Sequence, residues 1–390
     1  MNSLCTDVNY LSVNKYGEQL CGDHVEIVEG DDSSIVIVLA DGLGSGVKAS
    51  ILSTLTARII STMMANHMSI EDCVTTVAST LPVCEKRGIA YSTFTIIHVI
   101  NNKSAVVIQY DNPQVILLRN GIHCEYDMLE IKIGDKNIYQ SKIELLPGDV
   151  LVAMSDGAVY AGVGKAFNFG WQRQNIIDFL EMVYDARHSP KMVSTLLLEQ
   201  CVKLYGGTPG DDTTIAAVKI RKREQINLLI GPPSNPADLN SMLQSFFETE
   251  GKHIVCGGTT SSLAAAFLGK EIKTALEYKD NDIPPTAVID GVDLVTEGVI
   301  TVNRVLHYAR SYLEDNTFDM PWNYREDAAS GIARLLFEEA TDIHFYVGRA
   351  INPAHQNPDL PISFSIKMHL IEELSDCLQR MGKRINVSYF

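Results

Sequence analysis

The chain has 390 residues, 46% of them apolar and 21% charged, a composition that builds buried cores and excludes a disordered or low-complexity protein. Its length exceeds what one ordinary core organises, so two domains are expected. A net charge of −16 opposes polyphosphate backbones and excludes general nucleic-acid binding, because the RKR run at 221–223 is too short for a basic patch and reads as a solvated linker.

The opening MNSLCTDVNYLSVNKYGEQ has no basic start followed by an apolar run, and nowhere do eighteen uncharged apolar residues follow one another. A soluble, cytoplasmic protein with no membrane span is expected. Eight scattered cysteines, with no CxxC pair and no histidine at zinc spacing, fit reduced thiols better than disulfides or a structural zinc.

In chain order, SIVIVLA at 34–40 reads as a buried strand that stops at the DGLGSG turn. Val47, Ile51, Leu55, Ile59 and Met63 then recur every four residues, predicting a helix over 47–63 with that face in a core and Lys48, Ser50 and Arg58 on its polar side. Strands follow over 91–100, 104–110, 114–119 and 149–154. The short DNP, NG and PGD turns make them antiparallel neighbours. A helical region over 174–203, the loop YGGTPGDD and a strand TTIAAVKI complete an α+β layered domain ending near residue 222. From 223 to 390 the rhythm changes. INLLIGPP, HIVCGG, TAVIDGV and IHFYVGRA read as strands, with helices over 236–250, 260–268, 301–313, 326–340 and 365–381 between and after them. A three-layer α/β domain with a mostly parallel sheet is expected there.

Four aspartates stand where the first domain enters glycine-bearing turns: Asp23 in CGD, Asp41 in ADGLGSG, Asp156 in MSDGAVY and Asp211 in PGDDTT. Asp before Gly is a common turn pair, and any one of these taken alone is more simply a turn. Two of them, however, close apolar core strands. Carboxylates converging at one sheet rim suit hard, oxygen-seeking divalent cations.

The ordered series GD, DGLGSG plus helix, LPGDVLVAMSDG, and GDDTT plus strand resembles the type 2C metal-dependent protein phosphatases, in particular their bacterial branch typified by stage II sporulation protein E. The DNP turn at 111–113 resembles one this branch places between two strands. The resemblance covers about residues 15–220 and implies an α/β/β/α sandwich with two manganese or magnesium ions at one end. Carried across, it makes Asp41 and Asp156 catalytic. Asp41 would bridge both ions, with the Gly42 carbonyl holding one; Asp156 and Asp211 would complete the first site, and Asp23 would serve the second through water. Asp212 would support these ligands. The implied reaction is attack of a metal-activated water on a phosphoserine or phosphothreonine of a regulatory partner protein. Leu43 stands where eukaryotic members carry a histidine, and no arginine near Asp23 replaces their phosphate-binding one, so the sequence names no general acid. Attachment of the 47–63 helix to Asp41 suggests control of the site by a partner, and plain core packing accounts for the same pattern.

In the second domain CGGTTSS follows a strand and opens a helix, making Gly257, Gly258, Thr259 and Thr260 candidates to bind a small anionic ligand; a glycine turn with a threonine cap explains them equally. DGVDLVTEG at 290–298 and VGRAINPAHQNP at 347–358 are loops at strand ends that face the same crevice in a parallel sheet, with Asp293 and His355 as weaker metal candidates. The leading expectation is a phosphatase with a sensory second domain, able to form a homodimer. Its rivals are a weakly catalytic binding module of the same fold and a second domain that is a separate small-molecule enzyme.

Overall fold

The structure is a computed structural model that describes residues 3–30, 34–80, 92–133, 136–274, 283–314, 321–350 and 362–390. The chain divides into two compact units, Met1–Lys222 and Arg223–Phe390.

In the first unit, β1 (Leu4–Val13) leads to β2 (Asp23–Glu29), β3 (Ser34–Gly42), α1 (Gly46–Ala65) and α2 (Ile70–Thr80). Seven strands follow: β4 (Ser92–Ile100), β5 (Ser104–Tyr110), β6 (Ile116–Arg119), β7 (Ile122–His123), β8 (Leu129–Ile133), β9 (Lys136–Glu144) and β10 (Val150–Met154). Helices α3 (Asp156–Val159), α4 (Arg173–Val183) and α5 (Pro190–Leu204) then precede β11 (Thr213–Lys222). The strands form two antiparallel sheets, β1-β11-β10-β6-β7 and β2-β3-β4-β5-β9-β8. Positive φ at Asn101 and Asn102, and at Asn120 and Gly121, gives the β4–β5 and β6–β7 hairpins the left-handed turns that match strand twist.

Alternation along the strands builds the layers. Ile37, Leu39, Ile97 and Val107 of one sheet pack against Leu117, Leu151, Ala216 and Val218 of the other. On the outer faces Val36, Val38 and Ile96 meet α1 and α2 through Ile60 and Val74, while Val152 and Ile215 meet α4 and α5 through Ile177 and Leu197. The result is the expected α/β/β/α sandwich.

Three expectations need correction here. The stripe Val47, Ile51 and Leu55 is not in the core: these residues are 61%, 54% and 44% exposed, and α1 buries Ala49, Ser53, Thr56, Ala57, Ile60, Ser61 and Met64 instead. The reason is proximity at the amino end of the helix, which runs so close to β3 beside Gly42 that only small side chains such as Ala49 and Ser53 fit there, while Ile60 and Met64 pack further along. The 174–203 region is two helices, because Ser189 caps α5 by accepting from the Met192 N–H at 3.3 Å with Pro190 at the first helical position. Asp23 does not enter its glycine turn but leaves it, as the first residue of β2.

In the second unit β12 (Gln225–Ile230), α6 (Leu239–Glu248), β13 (Lys252–Cys256) and α7 (Gly258–Leu268) are followed by β14 (Lys273–Thr274), β15 (Ala287–Val288), β16 (Leu294–Thr296) and α8 (Val299–Glu314). Short helices α9 (Pro321–Tyr324) and α10 (Ala328–Ala333), then β17 (Asp342–Val347), α11 (Ile362–Arg380) and β18 (Arg384–Tyr389), complete it. The sheet order is β14-β15-β16-β13-β12-β17-β18, parallel from β16 to β18 with an antiparallel edge at β14 and β15. Helices cover both faces: Phe246 and Ala264 on one, Val305, Leu336 and Leu374 on the other. TAVIDGV contributes only the two-residue edge β15, and the buried parallel strand is β16, inside the stretch expected to be a loop. His355 lies outside the described residues.

Candidate metal centre

Two strand ends of one sheet and two turns of the other present the aspartates. Asp23 and Asp41 are direct cross-strand partners on β2 and β3. By the two-residue period they share the inter-sheet face with Val25, Ile37 and Leu39. In the facing sheet Asp156 opens α3 immediately after β10, and Asp211 and Asp212 immediately precede β11. These two turns are tied together: the Ser155 N–H donates to the Thr214 carbonyl at 3.0 Å, and the Thr214 N–H to Ser155 Oγ at 2.9 Å.

The Asp41 carboxylate feels the other four. Burial first, and then the negative charges of Asp23, Asp156, Asp211 and Asp212, push the Asp41 carboxyl up to about 9. Burial likewise raises Asp23 to about 7, offset in part by the Ser155 and Thr214 hydroxyls and reinforced by Asp212 and Asp156. Asp156 is raised by burial and by Asp211; Asp211 is raised by burial against the opposing pull of Lys15, whose Nζ lies 3.7 Å from Asp211 Oδ1. The structure therefore brings Asp23, Asp41, Asp156 and Asp211 to one rim and adds Asp212.

Among the described residues no three His, Cys, Asp or Glu side chains are already closed up as a metal-holding group. The Ser155 and Thr214 hydroxyls lie near Asp23 but outside hydrogen-bond geometry, and both carboxylate oxygens of Asp23 and Oδ2 of Asp212 are buried without a closed hydrogen bond. Unpaired buried carboxylate oxygens are costly, and a divalent cation is the partner their chemistry fits.

The glycines beside the aspartates are required by backbone crowding. A Cβ on Gly42 would stand 2.1 Å from the Ala49 carbonyl oxygen in α1, and one on Gly157 would stand 2.1 Å from the Asp212 carbonyl oxygen. Sequence reasoning missed several supporting groups. Ser92 Oγ donates to the Asp41 carbonyl at 2.9 Å, and Asn112 of the DNP turn accepts from Thr93 Oγ1 at 2.5 Å and donates to Thr95 Oγ1 at 3.2 Å. The Lys15 N–H donates to Asp212 Oδ1 at 3.0 Å. These contacts join residues far apart in sequence and carry no local pattern, although the DNP turn itself was visible.

In the second unit Gly257 has φ 112° and precedes α7, whose first residues Gly258 and Thr259 are exposed. Thr260 is buried and accepts from the Gly231 N–H at 3.1 Å, a packing role. The Glu297 carboxylate, bound to the Gly298 N–H at 2.9 Å, stands beside Gly258. Asp293 accepts from the His253 N–H at 2.7 Å.

A sandwich of two antiparallel sheets between helix pairs, with acidic side chains gathered at one rim, is the arrangement that the sequence resemblance to phosphatase 2C-type domains implies. The sequence model of the stage II sporulation protein E (SpoIIE) family matches residues 31–221. The curated relative stage II sporulation protein E of Bacillus subtilis (strain 168) is 21% identical over 211 residues, covering 53% of this chain and 24% of the relative; the chain spans about a quarter of that protein. Among solved structures, the PP2C phosphatase domain with a fragment of the regulatory domain of SpoIIE from Bacillus subtilis is 20% identical, covers 57% of this chain and 64% of that one, and has a TM-score of 0.49. The SiaA-PP2C domain of Pseudomonas aeruginosa is 19% identical, covers 54% and 84%, and has a TM-score of 0.43. Among the described residues no helix is long and apolar enough to cross a membrane.

Proposed function

We propose that the first unit is a metal-dependent serine/threonine protein phosphatase acting on a phosphorylated regulatory protein, with two manganese or magnesium ions held by Asp23, Asp41, Asp156 and Asp211. The observation that carries this reading is the convergence of five aspartates on one rim, with buried carboxylate oxygens of Asp23 and Asp212 that close no hydrogen bond. When bound, such cations neutralise phosphoryl oxygens and lower the proton affinity of a water nucleophile. Asp41 lies centrally, electrostatically linked to all four neighbours, and so suits a bridging role. Asp156 and Asp211 form the more open side, where Lys15 offers a cation toward a phosphoryl group. Asp212, buried and held by the Lys15 N–H, fixes the approach of β1 to β11 at the rim. We assign the second unit a sensory role, with residues 257–259 and 297–298 at the carboxyl ends of its parallel strands as the ligand-facing loops.

Manganese-dependent hydrolysis of p-nitrophenyl phosphate and of a phosphoserine peptide, by the full chain and by Asp41→Ala and Asp156→Ala, tests the reading. Activity abolished in both variants supports it. Equal background in all three proteins returns the domain to a non-catalytic binding module.

A further inference from the structure

Beyond the carboxylates, one buried side chain reaches both turns of the β10–β11 sheet. Tyr205, 6% exposed at the carboxyl end of α5, donates its hydroxyl to the Gly157 carbonyl at 2.7 Å. Its ring lies under Gly210, where an added Cβ would stand 3.2 Å from Cε1. Its own carbonyl accepts from Lys165 Nζ and, at 3.3 Å, from Thr208 Oγ1, and Lys165 Nζ also donates to Thr208 Oγ1 at 3.0 Å. The residue after Asp156 and the residue before Asp211 therefore rest on a single phenol. The 160–170 loop, which starts with the Tyr160 N–H donating to the Asp156 carbonyl at 2.9 Å, is strapped to it by Lys165.

We propose that Tyr205 is a positioning residue that sets the separation of Asp156 and Asp211 for cation binding, with Lys165 as the strap that holds it. The physical need is specific. Asp156 and Asp211 lie past the last pairing of β10 with β11, which the Ser155–Thr214 hydrogen bonds extend by one residue; beyond that tie two partly buried like charges repel, and a further contact is needed to hold the outer ends of the turns. The phenol supplies that link through a hydrogen bond to backbone, whose position does not depend on the rotamer of either aspartate. The inference rests on the phosphatase reading for the identity of the ligand, and on the contacts above for the clamp.

Tyr205→Phe removes only the hydroxyl and leaves the ring beneath Gly210. The Mn2+ dissociation constant, measured calorimetrically on the full chain, is expected to rise about tenfold, as for other groups that orient metal ligands from behind. Activity lost at low Mn2+ should return at saturating Mn2+, with KM for p-nitrophenyl phosphate unchanged. Lys165→Met should weaken Mn2+ binding in the same direction, and Tyr184→Phe, whose hydroxyl meets only the Gly148 carbonyl at 3.5 Å, should not. Wild-type Mn2+ affinity in Tyr205→Phe overturns the proposal. If that variant fails to fold, wild-type affinity in Lys165→Met overturns it instead. A wild-type chain that binds no Mn2+ ends the phosphatase reading itself; a wild-type chain that binds and hydrolyses, with both variants matching it, ends only the clamp.

Discussion

Cation binding at the aspartate rim should expel protons, and the structure sets how many. Without a cation the Asp41 carboxyl is raised to about 9 and that of Asp23 to about 7, against an ordinary value of 3.8. At pH 7 the coupled pair is then largely protonated, so about one to two protons must leave when a cation takes both carboxylates. The apparent affinity for Mn2+ should rise by about one to two decades per pH unit near neutrality. Calorimetric titration at one pH in two buffers of different ionisation enthalpy counts the protons directly. Asp41→Asn should lower the count by about one. The sign for stability is opposite. Both folded-state values lie above the unfolded one, so the stability these groups contribute to the metal-free protein is complete below about pH 4 and is lost as pH rises through about 7 and then about 9. The melting temperature in chelator should therefore fall with pH over that window, and added Mn2+ should restore it most at high pH. Equal heats in both buffers together with a pH-independent affinity between pH 6 and 8 would refute the burial-and-repulsion account of the rim.

Four further outcomes are expected. Gly42→Ala and Gly157→Ala each force a Cβ to 2.1 Å from a backbone oxygen and should cost about 1–3 kcal/mol in denaturant unfolding, with loss of Mn2+-dependent hydrolysis. Ile51→Lys, on the exposed stripe of α1, should change stability by less than about 0.5 kcal/mol, whereas Ile60→Ala, fully buried about two and a half turns on and so on the opposite face, should cost about 2–5 kcal/mol; the reverse order would mean α1 presents its other face to the sheet. Asp149 is 1% exposed, accepts from Arg119 at 2.8 and 3.0 Å and from the Leu146 N–H at 2.9 Å, so Asp149→Ala should destabilise by about 3 kcal/mol without altering Mn2+ affinity. Asn112→Ala, which frees the Thr93 and Thr95 hydroxyls behind Asp41, should cost about 1 kcal/mol by thermal denaturation.

The fold was legible where local chemistry and tertiary packing agree. The apolar run 34–40, the asparagine and glycine turns and the strand–helix alternation after residue 223 each state their structure locally. The α1 face was misread because periodicity reports where apolar residues lie and not how closely the helix approaches its sheet; a close approach selects Ala49, Ser53 and Ala57 and leaves Val47, Ile51 and Leu55 outside. Strands β1, β2, β8 and β9 were missed because partly exposed strands such as LCTDVNYLSV, DHVEIVE and LEIKI mix charges into their alternation. Of the candidate site, the glycine-flanked aspartates stood out, while Lys15, Ser92 and Tyr205 did not, since each acts through a contact that only the folded chain creates.

Because Asp23 and Asp41 occupy opposite places on one rung between β2 and β3, their encounter is governed by counting rather than by identity. Dropping or adding a single residue within β2 would turn Asp23 to the helix-covered side while sparing every other letter of the chain. A library of length variants in the 24–29 segment should therefore be far harsher on cation binding than a library of substitutions at the same positions, and odd-numbered changes harsher than even ones.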